Sequence, residues 1–223
     1  MNIHFFILQT LTITICTLLA FRIGKEALIT FIALLCVLSN LFVLKQITIL
    51  GFHTTAAESF SVGALFGLHL IHEYWGKLET KKTIWICFFS LLVYTILSQL
   101  HLLYEPSKFD LCSEHFCNLL HYAPRLTIVS LLAYFIVQNL DQYLYGRLLK
   151  QFGHNFLFIR NYALLLLMQL IDTILFGILG LYGIVHSVWH VIFVSFWIKA
   201  FAVTLTAPFT IIAKKLFRPT FFK

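Results

Sequence analysis

Asn161-Tyr-Ala-Leu-Leu-Leu-Leu-Met-Gln-Leu-Ile-Asp172 opens an apolar run that continues to Tyr182. That is about the 20 residues a helix needs to cross the hydrocarbon core of a bilayer. Working outward, comparable runs occupy residues 3–21, 27–50, 59–75, 84–104, 126–145 and 187–213. With 60% apolar and 11% charged residues, the expected fold class is all-α, a polytopic transmembrane helix bundle of about seven spans. The longest polar stretch, residues 105–123, is too short for an independent core, so residues 1–223 read as a single integral membrane domain.

The run at 59–75 is interrupted by His69, His72 and Glu73, and the basic residues decide its status. Arg22 and Lys25 follow the first run; Lys77, Lys81 and Lys82 the third; Arg147, Lys150 and Arg160 the fifth; Lys214, Lys215, Arg218 and Lys223 the seventh. This alternation obeys the positive-inside rule only if residues 59–75 cross. It places the N-terminus outside and the C-terminus in the cytoplasm. The net charge of +7 therefore orients the chain and gives no case for nucleic acid. The first run lacks a basic leader and a small-residue cleavage site, so it is expected to be a retained helix. Cys16, Cys36 and Cys87 lie in apolar runs and read as small hydrophobes. Cys112 and Cys117 share the long outer loop with His115 and His121; a disulfide, a metal site and free thiols all remain open there.

Two runs repeat one pattern, Gln-x-x-Asp-x-x-Leu-aromatic-Gly, at Gln138, Asp141, Leu144, Tyr145, Gly146 and at Gln169, Asp172, Leu175, Phe176, Gly177. Amide and acid three residues apart share a helical face, and an Asp at the bilayer centre costs about 2.5–3.5 kcal/mol on insertion scales. Asp172 lies deep, whereas Asp141 lies near the inner end of its span. Each acid reads either as a pathway group or as a structural one paired across helices, and Lys199 is the partner at matching depth to Asp172. Asn40, deep in the second run, can bond a neighbouring helix or a ligand; Lys45 nearer the outer end can snorkel. Glu73 with His69 and His72 lacks the order of a zinc helix, and reads as a wet vestibule or a substrate contact. Arg125 and Arg160, at span ends, read as interfacial anchors. Tyr134, Phe135 and Tyr145 share a face with Gln138 and Asp141. Rings that stack and groups that read an edge suit a planar heterocycle with adjacent N–H donors, as a guanine-like base presents. Because the two Gln-x-x-Asp spans run in opposite directions, they could meet as an inverted pair at a midplane site.

From Gly24-Lys-Glu-Ala-Leu through Asn40, Val43-Leu-Lys45, Glu73-x-x-Gly-Lys77, Pro124-Arg125, Ser130-Leu-Leu-Ala-Tyr134, Gln138-x-x-Asp141, Arg160-Asn161, Gln169-x-x-Asp-Thr173, Lys199 and Pro208-Phe209, the chain resembles the queuosine precursor transporter family, also called the vitamin uptake transporter family. The resemblance covers nearly the whole chain. It implies a single transporter domain, not an enzyme, importing 7-deazaguanine bases or queuine for tRNA queuosine modification. It also implies a likeness to the substrate-binding components of energy-coupling-factor importers, with spans two to seven as the six-helix core and span one an addition. No P-loop is present, so ATP enters only through a partner energising module. The chain departs from the family pattern at His69, where an acid is usual, at Leu68, and at Thr206-Ala207 before Pro208.

The expected function is import of a small-molecule queuosine precursor base across the inner (plasma) membrane, with no cofactor and no metal. The expected substrate-binding residues are Asn40, Glu73, Gln138, Asp141, Asn161, Gln169, Asp172 and Lys199. An energising module or a homo-oligomer are the possible partners besides the bilayer. The competing expectations are a structural or partner-dependent membrane subunit, an uptake protein for another vitamin or nucleobase, and an intramembrane enzyme using Glu73, His69 and His72.

Overall fold

The computed structural model of the chain describes residues 2–49, 51–152 and 157–200. It is a helical membrane bundle. Helix α1 (Asn2–Ile23) and helix α2 (Lys25–Phe42) meet at Gly24, and a short antiparallel hairpin, β1 (Gln46–Ile49) and β2 (Phe52–Thr55), leads into α3 (Glu58–His101). A small helix α4 (Ser113–Leu120) lies in the loop before α5 (Ala123–Phe152) and α6 (Leu157–Leu175). One turn of π-helix (Phe176–Gly180) ends α6, and the last described element is α7 (Val188–Ala200).

Helix α3 has 44 residues and would measure about 66 Å if straight, roughly twice the hydrocarbon thickness. It is not straight. Gly76, at φ 83° and ψ 179°, occupies backbone space essentially reserved for glycine. Phe66 and Cys87 then join one apolar cluster with Leu28 and Ile32 of α2. A straight helix would hold those two residues about 32 Å apart, so the halves on either side of Gly76 pack side by side. This accounts for the two separate runs expected at 59–75 and 84–104. The basic turn between them is tied to the start of α2: Glu79 pairs with Lys25 at 3.2 Å and with Lys82 at 2.7 Å.

The second expected span, 27–50, is corrected. Helix α2 stops at Phe42, and Gln46-Ile-Thr-Ile and Phe52-His-Thr-Thr pair instead, Gln46 opposite Thr55 and Ile49 opposite Phe52. Hydropathy counted 43–50 as more helix because a short apolar run carries no period of its own. The β-branched residues and Gly51 at φ 84° favour strand and turn. The hairpin is held at both sides: Asn2 Nδ2 donates to the Thr48 carbonyl, and the His186 amide donates to Gln46 Oε1. The polar stretch at 105–123 also holds a helix, α4, that its composition did not suggest.

Close approach is built into the first three helices. Gly63 and Gly67 lie one turn apart on α3, and a Cβ on Gly67 would meet Ile32 of α2 at 2.7 Å while one on Gly63 would collide with Ile13 of α1. Small residues at this spacing let membrane helices pack backbone to backbone. The outward faces stay apolar: Trp189, Phe193 and Trp197 of α7, and Trp85, Phe89 and Leu92 of α3, are exposed, as a lipid-facing surface requires. Hydroxyls of Thr10, Thr14 and Thr17 on α1 donate to the carbonyl four residues back. That disposes of polar groups where no water is at hand. Cys112 and Cys117 are exposed free thiols. The seventh run is described only to Ala200; the rest of 187–213, with Thr206, Ala207, Pro208 and Phe209, lies outside the described residues, as do Lys214, Lys215, Arg218 and Lys223.

Candidate functional site

A cavity of about 330 Å³ opens between α2, α3, α5, α6 and α7, below the β-hairpin. That is the size range of small-molecule sites. Asn40 and Ser39 reach it from the last turn and a half of α2. Thr55 and Glu58 come from the end of the hairpin and the first residue of α3, Tyr134 from α5, Gln169 and Asp172 from α6, and Lys199 from α7. Phe88, Tyr134 and Phe176 supply flat apolar wall, with Phe88 and Tyr134 edge to face at 4.7 Å between centroids.

The electrostatics centre on Lys199. Its Nζ stands 3.3 Å from Asp172 Oδ2 and 3.3 Å from Thr173 Oγ1, and it lies within electrostatic reach of Glu58. One turn earlier on α7, Ser195 Oγ donates to Glu58 Oε1. Helix periodicity produces this directly: Ser195 and Lys199 share the buried face of α7, opposite the Trp189, Phe193, Trp197 stripe.

Several acceptors are left over. Asn40 is 8% exposed, Glu58 7% and Thr55 1%. Asn40 Oδ1, Glu58 Oε2 and Thr55 Oγ1 complete no hydrogen bond among the described residues, although Thr55 is near enough to Glu58 to act on its carboxylate. A buried polar atom without a partner costs about 1–3 kcal/mol. Three of them around one cavity is the pattern of a site whose partners arrive with a ligand.

Of the expected site residues, the structure thus brings together Asn40, Gln169, Asp172 and Lys199. Asp141 is half-buried on α5 near Lys77 and Glu73 is exposed on α3; neither lines the cavity. The side chains of Gln138 and Asn161 lie outside the described residues, as does that of Tyr145. Phe135, grouped in the sequence with Tyr134, is 67% exposed. Glu58 is not among the expected site residues, because it stands one residue ahead of the apolar run at 59–75. Its signal was an acid directly ahead of a span, where a helix N-terminus favours negative charge. Lys45 is exposed. No cluster of three or more metal-ligating side chains occurs among the described residues.

A membrane helix bundle enclosing a mostly apolar, aromatic-walled cavity with a few convergent polar groups suits a small-molecule transporter. Residues 59–213 match the family described as "Putative vitamin uptake transporter". Among curated proteins, a "Probable queuosine precursor transporter" of Bacillus subtilis (strain 168) is 32% identical over 196 residues, covering 86% of each chain. No solved structure matches. This chain belongs to the vitamin uptake transporter family, a family of transporters and not of enzymes, which removes the intramembrane-enzyme reading of Glu73, His69 and His72.

Proposed function

We propose that this chain is a multi-pass carrier of the inner (plasma) membrane that imports a queuosine precursor, a 7-deazaguanine base or queuine, for tRNA modification. It crosses seven times with its N-terminus outside and its C-terminus in the cytoplasm. The single observation that carries the reading is the cavity itself, with buried acceptors lacking donors between aromatic walls. A guanine-type edge offers adjacent N–H donors to such acceptors while its ring stacks. The 32% identity to a chain named as a queuosine precursor transporter supports that choice over other vitamins.

Asp172 and Gln169 accept and orient the base, Asn40 reads a second position, and Lys199 balances the charge of Asp172 when the cavity is empty. Glu73, Gln138, Asp141 and Asn161 all belong to the inner ends of their spans. They serve the route from the cavity to the cytoplasm, reached when the bundle changes its opening. The reading needs no cofactor, and leaves a structural subunit as the rival.

The test is queuosine in tRNA, followed by boronate-gel mobility, in cells lacking both their own importer and precursor synthesis. Wild type restores the modification at limiting precursor, and Asp172→Ala at equal membrane abundance loses it by tenfold or more. Restoration by both alike would remove Asp172 from the site.

A further inference from the structure

Glu58 gives the cavity a second carboxyl group besides that of Asp172. Among the described lining residues the ionisable groups of fixed sign are Glu58, Asp172 and Lys199: two carboxyl groups and one ammonium, so that an ionised Glu58 leaves one negative charge over. Lys199 is committed to Asp172 and Thr173 at 3.3 Å each, and Ser195 occupies only Glu58 Oε1. Glu58 Oε2 has no partner among the described residues, in a side chain that is 7% exposed. Asn40 Oδ1 and Thr55 Oγ1, which line the same cavity, are left in the same state.

We propose that Glu58 is a specificity-determining residue that holds a positively charged amine on the ligand, so that the cavity selects a planar N–H-donor heterocycle carrying a cationic arm over the same ring with a neutral substituent. This rests on the reading of the cavity as a queuosine-precursor site. The division of labour follows from place. Asp172 and Gln169 on α6 lie one turn apart and suit the ring edge, whereas Glu58 enters from the hairpin side with Thr55, and Asn40 lines the same cavity from α2. An alkylammonium stays charged at pH 7, and its three donors match one carboxylate oxygen, one amide oxygen and one hydroxyl. A cation in this place pairs with the ionised carboxylate; a neutral group leaves that charge buried and unpaired, the costly case.

The experiment uses the purified full chain in nanodiscs at pH 7, with equilibrium binding of two probes: 7-aminomethyl-7-deazaguanine, which is cationic, and 7-cyano-7-deazaguanine, which is neutral. The expected result is at least tenfold tighter binding of the cationic base. Glu58→Gln, which keeps shape and removes charge, erases the preference by weakening the cationic base while leaving the neutral one within about twofold. Ser195→Ala, which keeps the charge, retains the preference. Equal binding of both bases by wild type overturns the role of Glu58 and leaves the precursor reading standing, as does a preference that survives Glu58→Gln. Binding of neither base overturns the precursor reading itself. If Glu58→Gln does not fold, Glu58→Asp, which keeps the charge and withdraws it by one methylene, takes its place: a preference reduced severalfold supports the role, and one equal to that of wild type overturns it.

Discussion

Arg125 illustrates how a residue's address in the sequence and its work in the fold differ. By position it is an interfacial anchor at the outer end of a span. In the structure its Nε donates to the Leu179 carbonyl at 3.0 Å and an Nη to the Tyr182 carbonyl at 2.8 Å. The π-turn at Phe176–Gly180 displaces the usual bonding of α6 and exposes carbonyls there, and a planar guanidinium answers two of them at once. Arg125→Leu is expected to cost about 1–3 kcal/mol, read as a fall in the thermal midpoint of the detergent-solubilised protein. Arg125→Lys should recover only part, since a single ammonium cannot span both carbonyls. An unchanged midpoint in Arg125→Leu would mean that anchoring is its whole role. Asp172 and Lys199 were legible as a pair from depth alone, because charges within a bilayer must find one another. Glu58 was not, since its partner Ser195 is 137 residues away and no periodic pattern links them.

At the scale of elements, hydropathy found most of the helices because a stretch of about 20 apolar residues has few other uses. It failed where length and period conflict. The β-hairpin continues the apolar composition of α2, so only its β-branched residues and Gly51 marked the change. It is also the piece that delivers Thr55 and Glu58 to the cavity, so misreading it cost the most informative acid of the site. The twin Gln-x-x-Asp pattern predicted that two spans would bring equivalent acids to one place. The cavity takes Asp172, and Asp141 stands apart from its lining. Packing of α3 against α1 and α2 depends on Gly63 and Gly67. Gly67→Leu is therefore expected to force α2 off α3 and remove most folded protein from the membrane fraction, measured by detergent-resistant monomer on size-exclusion chromatography. Gly51→Ala, in open space though at positive φ, should cost no more than about 1–2 kcal/mol. Equal yields of Gly67→Leu and wild type would show that the helix contact is not close enough to matter.

For the molecule as a whole, the apolar exterior and the polar groups gathered at the cavity are two answers to one constraint. Lipid accepts Trp189, Phe193 and Trp197 on the outside of α7. The same helix turns Ser195 and Lys199 inward, where each meets a carboxylate. A purely structural subunit has no need of unpartnered acceptors in a cavity large enough for a base; a carrier does, because its ligand completes them for part of each cycle. The direct measurement is uptake of a labelled 7-deazaguanine base into sealed liposomes containing only the purified chain. The account predicts saturable influx, competed by unlabelled precursor but not by adenine, whose edge offers a different donor pattern, and lost in Asp172→Ala. Influx no faster than in protein-free vesicles, with and without a proton gradient, would contradict a self-sufficient carrier and make the chain a subunit that needs a partner to transport.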